Sequence, residues 1–246
     1  MKKRLFALLA AVCLCAGCST TQSQITRQNA GIYVKGVLDE TYTGKASDAY
    51  RTLTDRTQED GQAAFEKNLE AEYAQRLCVR FELEEEFVPR SLKEDFLDLL
   101  DQVYLRAGYS VKSVTPMDNG RYCVEVTVTP VTFFAAAYAD GYRALREDFE
   151  KAHPLPGDEE EEAGEDDVVD ADDADKDPTP AQLRKARQTR EALWAQEVYD
   201  YLYPRLDAVT TGSSVTRLVL VSADQNGLYT LSETDLQGLD DLILQY

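Results

Sequence analysis

Histidine is almost missing from this chain: His153 is the only one in 246 residues. Proton-transfer catalysis most often uses histidine, and histidine-based zinc sites and Ser-His-Asp triads recruit it in set company. Gly-x-Ser-x-Gly and Ser-x-x-Lys are also missing, as is any glycine-rich phosphate loop. Cations are scarce, with 26 Lys and Arg against 45 Asp and Glu and a net charge of −19. A surface of that sign argues against nucleic acid, whose phosphates need clustered Lys and Arg. No apolar run approaches the roughly 20 residues that a membrane-crossing helix requires. The absences leave no catalytic residue, no metal-ligand set and no cofactor to assign.

What is present begins at the N-terminus. Lys2, Lys3 and Arg4 precede an apolar run from Leu5 to Ala16, and Gly17, Cys18 and Ser19 follow. A positive start, a short apolar stretch and small residues at its end describe a secretory signal segment over residues 1–17. The stretch Leu14-Cys15-Ala16-Gly17-Cys18 resembles the lipobox of bacterial lipoproteins. Leu14 stands one place further from Cys18 than the usual aliphatic residue, and Cys15 fills that place. The resemblance implies cleavage before Cys18, lipid on its thiol, and attachment to the outer face of the cell membrane. An ordinary secretory signal cut nearby, leaving Cys18 free, is the alternative. Residues 18–25 then read as a polar tether. Removing the three positive charges of the leader takes the net charge from −19 to −22. That balance argues against lying flat on anionic lipid.

Cleavage leaves Cys18, Cys78 and Cys123. With Cys18 lipidated, Cys78 and Cys123 form an even pair outside the cytoplasm, where a disulfide can persist. Buried free thiols are the competing reading.

The sharpest composition change lies at 154–180. Within it, residues 158–177 hold thirteen acids and one Lys, and only Val168 and Val169 offer apolar burial. Such a segment cannot offset its ordering entropy, so it reads as a disordered acidic insertion. It lacks the ligand spacing of a calcium loop. His153, just before it, reads as a favourable cation near a helix C-terminus.

Helical periodicity is expected over about 27–42, from Ser47, and through Phe65, Leu69, Tyr73 and Leu77. Ser91-Leu-Lys-Glu94 predicts a capping box for a helix carrying Leu92, Phe96, Leu99, Leu100 and Val103. Tyr109 to Thr115 and the alternating Tyr122 to Val128 flank Asp118-Asn119-Gly120, a hairpin signal. Alternation turns Cys123 away from the valine face. Helical spacing returns at Tyr138, Tyr142, Leu145 and Phe149, and again over 181–203 until Pro204. A second hairpin joins Val215–Val221 to Leu228–Leu231 through Asp224-Gln-Asn-Gly227. Leu218-Val-Leu-Val221 is apolar on both faces, which predicts a central strand. Ser232-Glu-Thr-Asp235 caps a last helix. Both hairpins share an Asn-Gly step with a tyrosine two residues on, a likeness that good turn chemistry produces without an internal repeat.

An isolated hairpin is marginal in water, so the two should share one four-stranded antiparallel sheet. The expected fold class is α+β, one domain over 26–246 with helices against the sheet and the acidic insertion at 154–180. Two separate domains is the alternative. This plan resembles cystatin-like folds and uncharacterised lipoproteins of Gram-positive bacteria, with no residue motif that carries a site across.

Three functions remain open. A non-catalytic envelope module binding a protein or glycan would show exposed aromatic or apolar groups beside the sheet, with Tyr199 and Tyr203 as candidates. A carboxylate-based hydrolase would need two acids facing each other across a cleft; the run Glu84-Glu85-Glu86 reads instead as a solvated corner. A structural spacer would show neither groove nor apolar patch.

Overall fold

The structure, a computed structural model, describes residues 27–118, 121–156, 179–209, 211–223 and 228–246. The leader, Cys18, the tether, both Asn-Gly steps and almost all of the acidic insertion lie outside the described residues.

Four strands form one antiparallel sheet in the order β1-β2-β3-β4: Gly108–Pro116, Tyr122–Thr129, Val215–Ala223 and Tyr229–Leu231. The first pair precedes the acidic insertion and the second follows it, so the sheet is built across the insertion as expected. Val124 sits opposite Val114 on one side and Val219 on the other, and Val126 opposite Val111 and Arg217. This register puts the β2 valines on one face, where all three are fully buried. The register of β1 shifts between Val111 and Ser113, a bulge at Lys112 in an edge strand.

The helices lie against that valine face. α1 (Arg27–Thr43) packs on β1, and α2 (Asp48–Thr54) packs back on α1. The approach of α2 explains the glycine inside α1: a Cβ at Gly36 would fall 2.0 Å from the Tyr50 ring. Ser47 caps α2 by accepting from the Tyr50 N–H. α3 (Gln58–Glu72) opens on a capping box between Thr57 and Asp60, widens into a π-turn at Tyr73–Leu77, and ends in the short α4 (Cys78–Arg80).

α5 (Arg90–Tyr104) buries the expected stripe, but its capping box does not form. The helix begins at Arg90 with Pro89 as its N-cap, two positions before a Ser91 cap would place it, so Ser91 falls inside the first turn and Glu94 accepts from Arg90 instead. α6 (Phe133–Ala137) runs through a second π-turn at Tyr138–Tyr142 into α7 (Arg143–Ala152). Gly141 at φ 108° lets the chain kink there, and the Tyr201 hydroxyl lies within hydrogen-bonding distance of the carbonyls of Ala137 and Asp140. α8 (Pro180–Leu202) begins on a Thr179–Gln182 capping box and ends just before Pro204, as expected, passing into a 3-10 turn. α9 (Glu233–Ile243), capped by Ser232, leads into a tail whose Leu244 pairs with Val131.

A strained turn closes α4. Glu82 takes φ 53°, and the Leu83 N–H reaches back to the Cys78 carbonyl at 2.8 Å, the pattern of a helix ending that favours glycine. Its side chain is mostly exposed and meets Arg146 only at 4.0 Å. Glu82→Gly should therefore raise stability by about 1 kcal/mol, the cost of a left-handed non-glycine residue. Chemical denaturation measures it, and a loss would mean that the Arg146 contact outweighs the strain.

Candidate functional site

Acidic residues gather most closely at Arg76, inside the first π-turn. Its guanidinium contacts Asp240 directly, lies 3.4 Å from Glu72 and 3.5 Å from Asp241, and donates to the Leu244 carbonyl at 3.1 Å. The Tyr246 ring stacks on it with the cation 4.8 Å from the ring centre. Tyr42 donates to the other oxygen of Asp240. Glu72 is only 5% exposed. Burial, with Asp240 nearby, pushes its carboxyl up to about 7 despite Arg76. Burial raises Asp240 as well, against the opposing pull of Arg76 and the Tyr42 hydrogen bond. These acids do face one another, but the guanidinium fills the interval where a substrate would lie. What the cluster does is tie α3, α9 and the C-terminal tail together.

A second buried carboxylate, Glu40, stands 3.0 Å from Arg56 and accepts from Tyr50 at 3.1 Å. Burial raises it, with Arg56 and Tyr50 opposing. It joins α1 to α2 and the start of α3.

The other face of the sheet offers different chemistry. Its side chains are Ser113 and Thr115 on β1, Cys123, Glu125 and Thr127 on β2, and Thr216, Leu218 and Leu220 on β3. Hydroxyls run along it: Ser113 donates to Glu125 at 2.7 Å, Thr127 meets Thr216 at 3.4 Å, and Ser222 meets Thr230 at 3.0 Å. Two leucines interrupt the polar rows, Leu218 at 62% and Leu220 at 38% exposure. β3 does lie inside the sheet order, but the helices cover only its Val219 and Val221 face.

Between the first turn of α1 and the bulge of β1 lies an open groove of about 410 Å³. Arg27, Gln28 and Gly31 line one side, and Val111 to Val114 the other.

The thiols are separated by the sheet. Cys78 is buried among the helices, where burial pushes its thiol up to about 11, and Cys123 is half-buried on the open face. Both are free, so the disulfide weighed from sequence is not formed. His153 ends α7 with its ring against Phe149, at 4.6 Å between centres. Glu84 and Glu85 are engaged by Arg187 and Lys93 rather than left to solvent alone. Tyr199 and Tyr203 do stack, at 5.4 Å, with Tyr203 half exposed. Trp194 is fully buried and takes no part in that pair, whereas its neighbour Leu193 is 46% exposed.

Sequence reasoning missed the Arg76 cluster and the groove. The only local signal for the first was the four-residue spacing of Glu72 and Arg76, common in any acid-rich helix. The groove needed the bulge at Lys112, which no turn residue marks.

Among the described residues, no helix is long and apolar enough to cross a membrane, and no group of three or more acids, cysteines or histidines could hold a metal ion. No family model matches the chain, and no curated protein matches it. Among solved structures, the chain is similar to YcdA, a candidate lipoprotein of Bacillus subtilis subsp. subtilis str. 168, at 10% sequence identity and a TM-score of 0.49. That similarity takes in 89% of this chain and 56% of the other, so this chain spans little more than half the length of the protein it resembles.

Proposed function

We propose that this chain is an exported lipoprotein, held by lipid on Cys18 at the outer face of the cell membrane, whose mature part is a non-catalytic module binding a protein or glycan of the envelope. The leader carries the reading: three cations, twelve apolar residues and a Gly17-Cys18 junction are what export and lipidation require. The sheet supports the binding half. Exposed Leu218 and Leu220 set among hydroxyls are an apolar contact with a polar surround, the composition of an interaction surface. The open face and the groove together weigh against a bare spacer.

Cys18→Ala should move the protein from the membrane to the soluble fraction, or stall it with the leader attached. Fractionation with mass analysis of the N-terminal peptide reads this. A variant that is cleaved normally and still sediments with membranes would overturn the anchor. For the binding half, Leu218→Glu with Leu220→Glu should preserve the melting transition and abolish capture of the partner found with the parent chain. Undiminished capture would move the binding surface elsewhere.

A further inference from the structure

We infer that the outer edge of β3 over Thr216–Leu218 is the docking site for an extended, cationic segment of an envelope polypeptide, which adds to the sheet as a further strand in line with β4. The inference rests on the proposed binding role of the Leu218 and Leu220 face and gives that face its class of partner.

The edge is open because β4 is short. β3 pairs with β2 from Val215 to Val221, but β4 covers its other side only from Val221 to Ala223. The Leu220 N–H points to that other side, where it donates to the Asp235 carboxylate at 3.0 Å. Backbone groups alternate in direction along a strand, so Thr216 and Leu218 also turn their N–H and C=O outward. Both residues are exposed, and among the described residues nothing bonds those outward groups. The opposite edge of the sheet is guarded. β1 carries a bulge at Lys112 and ends on Pro116, which has no N–H. Bulges, lysine and proline are the usual devices that keep a further strand from adding. Over Val215–Leu220, β3 has none of them.

Spacing and charge select the occupant. Outward groups that recur every second residue, about 6.8 Å apart, match the repeat of a second polypeptide strand. Main-chain bonds give such a strand its affinity, and contacts of its alternate side chains give it selectivity. Exposed Leu218 stands beside the edge to make those contacts. Residues 206–246, which include β3, β4 and α9, hold six acids and a single cation, Arg217. Arg76 engages two of the acids, Asp240 and Asp241, and the other four still outnumber Arg217. On β2 the residue opposite Leu218 is another acid, Glu125, while Arg121 lies beyond Tyr122, past the far end of the open edge. A cationic segment complements this border. A second copy of the chain would set two acid-rich borders side by side, which like charges oppose.

The test uses the whole protein, extracted from its membranes in a neutral detergent, and a capped eight-residue peptide of alternating lysine and valine. The peptide should bind the parent and slow amide hydrogen exchange over residues 215–220 several-fold, leaving β1 unchanged. The same peptide methylated on every amide nitrogen keeps its charges and side chains, and it should not bind. Leu218→Pro removes one outward N–H and no bond to β2, so it should melt as the parent does. It should bind the peptide roughly ten-fold more weakly, the worth of one strong hydrogen bond. Leu218→Ala keeps that N–H and should lose far less. If the proline variant melts lower, exchange in the parent decides. No binding, binding without slower exchange over 215–220, or equal binding of the methylated peptide overturns the added strand. Capture of the envelope partner separates this inference from the reading beneath it. Capture lost in Leu218→Glu with Leu220→Glu but kept in Leu218→Pro overturns the added strand and leaves the binding face standing. Capture kept in both overturns both.

Discussion

Trp194→Ala should destabilise the protein by about 3–5 kcal/mol, the usual range for deleting a large buried aromatic side chain. Trp194 is fully buried, between Phe149 at 5.0 Å and Tyr142 at 5.9 Å, with the Arg146 guanidinium 4.6 Å from its ring. Its indole N–H donates to the Phe81 carbonyl at 3.1 Å, in a buried setting where water cannot replace it. The loss should therefore lie toward the upper end of the range. Domain stabilities are about 5–15 kcal/mol, so such a loss is a large share of the total. Trp194→Phe separates the two contributions: it keeps most of the volume and leaves the carbonyl unsatisfied, for about 1–3 kcal/mol. Urea denaturation should show a lower midpoint with an unchanged slope for both variants. A loss below about 1 kcal/mol for the alanine variant would show that the packing around Trp194 is not the one described.

The residue tying these helices together was visible in the sequence only as a hydrophobic position on the helix of 181–203. Its partner is a backbone carbonyl 113 residues away, held in place by the left-handed turn at Glu82. Nothing local announces that turn, since the usual marker there is glycine. Where local chemistry decides, the sequence was legible. Alternation over 122–128 fixes which face of β2 is buried, and Ser47 and Ser232 cap their helices through groups within three residues. The Ser91 box failed for an equally local reason, because the chain already turns helical at Arg90 and leaves Ser91 inside the first turn. Leu218 and Leu220 left the covering of their own face open for a global one. An apolar strand can be covered on both faces or can keep one open, and only the placement of the helices decides between them. The groove is legible from neither level alone. Its cations stand 85 positions apart and meet only because α1 lies along β1.

Removing the Arg76 guanidinium, by Arg76→Leu, should cost about 3–5 kcal/mol at pH 8, because truncating one partner of a buried ion cluster strands the others. Glu72 and Asp240 would then face each other with no cation between them, and α9 with its tail would lose its tie to α3. Acid should relieve much of this. The Glu72 carboxyl sits at about 7 in the folded chain against an ordinary 4.5. A carboxyl held above its unfolded value contributes stability that is fully present below pH 4.5 and is lost as pH rises through 7. Each pH unit between those values is worth about 1.4 kcal/mol, so the interacting carboxyls of Glu72 and Asp240 together account for on the order of 3 kcal/mol in the parent. Asp240, also raised, acts in the same direction. The Glu72→Gln variant cannot ionise at that position. Measured against the parent, it should gain up to about 3 kcal/mol between pH 5 and pH 8. Arg76→Leu should do the reverse, with a loss clearly smaller at pH 5 than at pH 8, because protonated carboxyls no longer need the cation. Urea midpoints at the two pH values decide between electrostatics and packing. A loss of the same size at both would mean that Arg76 matters for the space its side chain fills, and that the acids around it carry little charge in either condition.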